Sequence, residues 1–163
     1  MAPVLVDTNI IIEAVRARCW NALAGRYNIE TVEVCFDEVR AGDPLRPGYV
    51  TVDSTQLTRL LAQHPVTDLE RAQLAMKLPM ADALDPGERD LFAHALGRTD
   101  DWVLCCADRA AVNATFNLGW QERVVSLEKL AKAAGSRPAL KAHFTEKWLA
   151  ELRTLFALGG GLA

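Results

Sequence analysis

The sequence predicts an α/β protein, a parallel sheet with helices on both faces, and two observations carry that expectation. Pro3-Val4-Leu5-Val6 and Trp102-Val103-Leu104-Cys105-Cys106-Ala107 are short apolar, partly β-branched runs that read as strands buried on both sides, and they end in acids, Asp7 and Asp108. Each is followed by a segment with helical spacing of its apolar residues, so strands and helices alternate as in right-handed crossover units. A chain of 163 residues suits one compact domain that buries about 70% of its unfolded surface.

The elements follow in order. Asp7-Thr8-Asn9 offers capping side chains, and Ile10 to Arg26 reads as one helix. A second helix is expected over Val32 to Val39, closed by Ala41-Gly42-Asp43-Pro44, with a loop to Gly48 and a strand candidate at Tyr49-Val50-Thr51-Val52-Asp53. Helical spacing returns at Leu57, Leu60 and Leu61, ends at His64-Pro65, and resumes from Asp68 to Leu78. Asp85-Pro86-Gly87-Glu88 opens a helix that runs to Leu96-Gly97. An Ala-rich helix covers Arg109 to Asn117, Arg123 to Leu127 is a final short strand, and a helix follows from Leu127 to Ala134. Gly135-Ser136-Arg137-Pro138 breaks it, and a last helix from Leu140 to Leu158 precedes a flexible Gly159-Gly160-Gly161 tail. The chain therefore divides into residues 1–135 and a C-terminal helical extension, 136–163.

Composition narrows the class. Half the residues are hydrophobic and 24% are charged, ordinary globular proportions that argue against a disordered or membrane protein. The N-terminus lacks a basic stretch and meets Asp7 after a few apolar residues, so it reads as neither signal peptide nor anchor, and no run approaches the about 20 apolar residues of a spanning helix. Cys19, Cys35, Cys105 and Cys106 form no C-x-x-C pair and read as reduced, buried thiols of a cytoplasmic protein. The net charge of −3 gives no basic surface patterned along the chain, so a polyanionic partner needs another source of attraction.

The acids supply the chemistry. In a parallel sheet the site lies beyond the carboxyl ends of the strands, where Asp7 and Asp108 open onto one crevice if their strands are neighbours. Either can equally be a helix N-cap, and Glu88, three residues after Asp85, has capping-box spacing. Glu38 sits on the short second helix, where a solvated role is the plain reading. Together these acids offer the hard oxygen ligands that Mg²⁺ or Mn²⁺ prefers. No phosphate-binding Gly-rich loop, H-E-x-x-H or nucleophile elbow competes with them, and His64, His94 and His143 are scattered.

Val4-Leu5-Val6-Asp7-Thr8-Asn9-Ile10-Ile11 resembles the opening of PIN-domain nucleases, in which the first metal-binding aspartate ends the first strand. Leu84-Asp85-Pro86-Gly87-Glu88 is similar to the family's L-x-x-G-E helix start, Val103 to Asp108 to its fourth strand with terminal acid, and Arg123 to Leu127 to its last strand; the likeness covers residues 3–134. The resemblance implies a three-layer α/β/α sandwich of strand order 3-2-1-4-5 and RNA phosphodiester hydrolysis assisted by Mg²⁺ or Mn²⁺. It implies Asp7, Glu38, Glu88 and Asp108 as the acidic set, with Glu33 and Asp37 open alternatives to Glu38. Arg109 stands where many relatives carry a further acid or Asn, and Asn113 lies one turn on. Small bacterial members, the VapC-like toxins, pair with an antitoxin protein and many form homodimers. Thr8, Asn9, Asn113 and Arg16 are substrate-binding candidates, and Arg16, Arg18 and Arg40 are each a phosphate contact or ordinary helix-surface charge. The extension is basic, with Arg137, Lys141, Lys147 and Arg153 against Glu146 and Glu151.

Two rivals remain at this level. A PIN-like RNA- or protein-binding module would keep the fold without turnover. A receiver- or phosphatase-like α/β domain would want a second acid beside its aspartate and a strand-end Lys; Asn9 stands where the second acid would be, and no suitable Lys precedes Asp108.

Overall fold

The computed structural model describes residues 2–42 and 45–160. Asp43 and Pro44 of the expected loop and Gly161 of the tail lie outside the described residues. Five strands, β1 (Val4–Val6), β2 (Ile29–Val32), β3 (Ala62–His64), β4 (Val103–Cys105) and β5 (Val124–Val125), form one parallel sheet of order β3-β2-β1-β4-β5. β1 is central, with Val4 in register with Ile29 on one side and Val103 on the other. Helices cover both faces, a three-layer α/β/α sandwich.

The alternation of side chains along β1 divides the core. Val4 and Val6 join the first two helices, α1 (Thr8–Arg16) and α2 (Trp20–Arg26), α4 (Ser54–Leu60) and α8 (Leu127–Ala133) on one face. Leu5 joins α5 (Asp68–Lys77), α6 (Pro86–Leu96) and α7 (Arg109–Asn117) on the other. The helix α3 (Glu33–Arg40) straddles both, burying Cys35 with one cluster and Phe36 and Val39 with the other. The last helix, α9 (Glu146–Ala157), buries Leu149, Leu152 and Phe156 in the same cluster as Leu5 and Leu104, so the segment that the sequence sets apart shares the core of the rest.

Three local expectations are corrected. The helix expected over Ile10 to Arg26 is two helices. Arg18 takes a left-handed φ of 60°, its N–H bonds Val15 O and the Cys19 N–H bonds Ala14 O, which is a Schellman stop with Arg where glycine is usual. The turn lets Cys19 and Trp20 bury.

Strands β2 and β3 were not expected, because Glu30 and Thr31 interrupt the apolar run of β2 and Ala62-Gln63-His64 has none. The fold satisfies those polar groups: Thr31 donates to Val6 O at 2.6 Å, and Glu30 receives Arg98 at 2.9 Å and lies 2.5 Å from His64. Conversely, Tyr49 to Asp53 is not a strand; the edge of β2 is taken instead by β3.

Among the described residues no helix is long and apolar enough to cross a membrane. The four cysteines are free and buried. Because a left-handed non-glycine residue costs about 1 kcal/mol, Arg18→Gly is expected to raise stability by about 0.5–1 kcal/mol in urea melts; a loss would contradict this account of the helix break.

Candidate functional site

Three of the helices that start at the carboxyl edge of the sheet are capped by an aspartate. Asp7 follows β1 directly and accepts from Ile10 N at 2.9 Å. Asp108 lies three residues beyond β4 and accepts from Ala111 N at 3.0 Å. Asp85 caps α6, accepting from Glu88 N at 2.8 Å. The capping reading is thus correct for all three, but each cap is made by one carboxylate oxygen, Oδ1, and a carboxylate has two. The helix N-termini also bring their positive dipole ends to this edge, which favours negative charge there.

Glu88 does not take the plain role that its spacing offers. The reciprocal bond of a capping box, made fully by Thr67 and Glu70 on α5, is absent at α6. The Glu88 carboxyl is buried, and its Oε1 has no hydrogen-bond partner. Burial, reinforced by the charges of Asp7, Asp108 and Asp85, pushes its pKa up to about 9. Burial likewise pushes Asp7 up to about 7, opposed by its Ile10 N–H bond and reinforced by Asp85, Asp108 and Glu38.

The other buried acids show how unusual this is. Glu13 is held by Arg16, Glu30 by Arg98 and Asp90 by Arg71, the last with two bonds of 2.8 Å. At Glu13 and Glu30 burial is outweighed by those bonds, and the pKa falls below the ordinary value. Asp7 and Glu88 have no such cation; the leading charges acting on them are carboxylates.

Of Glu33, Asp37 and Glu38, the last reaches this cluster. The Thr8 hydroxyl donates to Glu38 Oε2 at 2.6 Å, with Cys35 O farther away at 3.3 Å. Gly87 makes room: a Cβ there would lie 3.1 Å from both Glu38 oxygens and 3.0 Å from Cys35 Sγ. The glycine between Pro86 and Glu88 is therefore a packing requirement of the site. Asp85 is the residue that sequence reasoning took only as a cap. It stands ahead of Asp108 and Glu38 among the charges acting on Asp7, and its place in Leu84-Asp85-Pro86-Gly87-Glu88 is the signal that marks it.

The remaining candidates divide. Asn9 is exposed beside Glu38, at the rim of a cavity. Asn113 is buried, its amide nitrogen 3.7 Å from Met80 Sδ. Arg109 lays its guanidinium over the Phe156 ring at 5.4 Å, and Arg40 lies near Phe36. Arg16 is engaged by Glu13 and Ala139 O, which makes it a clamp on the C-terminal segment. His64 and His94 stack on one another at 4.3 Å near Arg98, with His94 in the last turn of α6, at the opposite end from Glu88. Burial pushes the Cys35 thiol up to about 12 and that of Cys106 well above its usual value, so neither supplies a thiolate at neutral pH.

The chemistry of this donor set fits a hard divalent cation: carboxylate oxygens, one of them buried without a partner, and no neighbouring Lys or Arg among the leading charges. Among the described residues no three His, Cys, Asp or Glu side chains converge closely enough to enclose an ion as they stand. No protein-family model matches the sequence, and no curated protein matches it either.

Because Asp7 and Glu88 hold protons more tightly folded than unfolded, folding takes up protons between the ordinary carboxylate range and about 7 and 9. Their stabilising contribution is complete at acid pH and is lost as pH rises through those values. In EDTA, the melting temperature is expected to fall between about pH 5 and pH 9, and Asp7→Asn and Glu88→Gln, which retain the N–H caps, should flatten the decline; a wild-type profile rising over that range would contradict it.

Proposed function

We propose that the chain is a divalent-metal-dependent endoribonuclease of the PIN type, hydrolysing RNA phosphodiesters at the carboxyl edge of its sheet. One observation carries the reading: of the buried acids among the described residues, Asp7 and Glu88 alone lack an arginine partner, and they lie in one cluster with Asp85, Asp108 and Glu38. Uncompensated buried carboxylates are costly to stability and are a mark of functional sites.

In this reading Asp7, Glu38, Glu88 and Asp108 hold Mg²⁺ or Mn²⁺, with Asp85 alongside. A divalent ion bound there would supply positive charge to offset the phosphodiester and would make a water more acidic for attack on phosphorus. The protein's own part is positional. Asp7 and Asp108 use one oxygen, Oδ1, to fix the helix starts, which leaves the second out of the cap. The Thr8 hydroxyl orients Glu38. Glu88, whose pKa burial pushes up to about 9, would give up its proton on becoming a ligand.

The family likeness extends the proposal to a cytoplasmic toxin paired with a small antitoxin and to a homodimer. The rival reading, a PIN-like RNA- or protein-binding module without turnover, draws on Arg109, which stands where many relatives carry a further acid and is turned onto Phe156.

A quenched fluorescent single-stranded RNA is expected to be cut in Mn²⁺ or Mg²⁺ and spared in EDTA, and Asp108→Asn, which can still cap α7, is expected to lower the rate by about 100-fold or more. RNA bound without cleavage would favour the module, and cleavage that survives both EDTA and Asp108→Asn would overturn the proposal.

A further inference from the structure

Beside the acid cluster, and sharing Glu38 with it, is a cavity of about 350 Å³ whose walls include Asn9, Arg46, Tyr49 and Lys141. We propose that this cavity receives one unpaired nucleotide of the RNA next to the bond that is cut, its base stacked on Tyr49 and its phosphate drawn by Arg46 and Lys141. The inference rests on the reading of the acid cluster as the cleavage site.

Three features support it. The first is the ring: Tyr49 is 38% exposed, yet it is placed, because a Cβ at Gly42 would lie 2.8 Å from its Cε2. The missing side chain at 42 lets the phenol lie against the backbone and face the cavity as a stacking platform. Base–aromatic stacking needs an unpaired base and tolerates any of the four.

The second is the pair of cations. Arg16, Arg71, Arg98 and Arg153 are each taken by a carboxylate, whereas no salt bridge among the described residues takes Arg46 or Lys141, although the Lys141 charge also acts on Glu13. Lys141 is delivered from far along the chain: its N–H donates to Glu13 Oε2 at 2.8 Å, and Arg16 grips Ala139 O at 3.0 Å. The clamp that Glu13 and Arg16 make on residues 139 and 141 thus sets Lys141 at this wall. Arg46 and Lys141 put positive charge at the cavity wall itself, within reach of a phosphate, where the net charge of −3 gives no general attraction.

The third is size. The volume is at the small end of ligand pockets, room for a nucleotide but not a duplex.

The test is the fluorescence anisotropy of labelled six-adenosine and six-uridine RNA with the full-length chain, in EDTA at low and moderate salt, with melts to confirm folding. Tyr49→Ala is expected to weaken binding about tenfold or more while Tyr49→Phe stays within about twofold. Arg46→Ala and Lys141→Ala should each weaken it several-fold and reduce the salt slope by about 1, and Arg59→Ala, outside the cavity, should change neither. Wild-type protein that does not bind the hexamers, cavity variants that bind like wild type, or equal affinity for the duplex form would each overturn the subsite. If metal-dependent cleavage is absent while the cavity variants still lose affinity, the hydrolase reading fails and the nucleotide site stands; if Asp108→Asn abolishes cleavage while the cavity variants bind normally, the subsite alone fails.

Discussion

Negative charge that is buried without a counter-charge is the constraint on which the rest of this structure turns. The parallel order places the carboxyl ends of β1 and β4 side by side, and the helices that follow begin there. Helix starts require acceptors for their free N–H groups, so Asp7, Asp85 and Asp108 are brought together by the same geometry that makes the fold. Glu88 is added from the first turn of α6 and is buried among them. The dipole ends soften the repulsion, and protonation of Asp7 and Glu88 removes part of it. The arrangement is tolerable without an ion, and under the proposed function a divalent ion would complete it.

The surrounding packing serves that arrangement. Gly87 admits the Glu38 carboxylate and the Cys35 thiol where a methyl group would press on both. Thr8 ties α1 to α3 through Glu38. Away from the cluster the same protein neutralises its buried acids fully: Asp90 joins α5 to α6 through Arg71, and Glu30 holds Arg98 and His64 at the far edge of the sheet. The contrast within one molecule separates the acids held in ion pairs from those left without a cation, which acidity or burial alone does not do.

Much of this was legible in the sequence, for physical reasons that also explain the failures. β1 and β4 are apolar on both faces, and the acids that follow them mark the edge where a site can form. Strand β2 was hidden because its polar residues, Glu30 and Thr31, are satisfied only by Arg98, His64 and the Val6 carbonyl, partners distant in sequence. The edge strand β3 has no apolar signature, since its pairing with β2 defines it. The break after α1 was missed because Arg18 occupies a turn position that glycine usually marks. Within the site, Asp7, Glu88 and Asp108 could be chosen from their positions, but separating Glu38 from Glu33 and Asp37 took the contact with Thr8. Asp85 was hidden by its correct reading as a cap.

The central claim is that this cluster is built to accept a divalent cation in place of protons. Titration calorimetry of Mn²⁺ into the metal-free protein at pH 7, repeated in buffers of different ionisation enthalpy, counts the protons exchanged. With Asp7 near its midpoint and Glu88 protonated at that pH, the account predicts saturable binding with release of about one to two protons, reduced in Glu88→Gln. Binding without proton release, or no saturable binding, would contradict it.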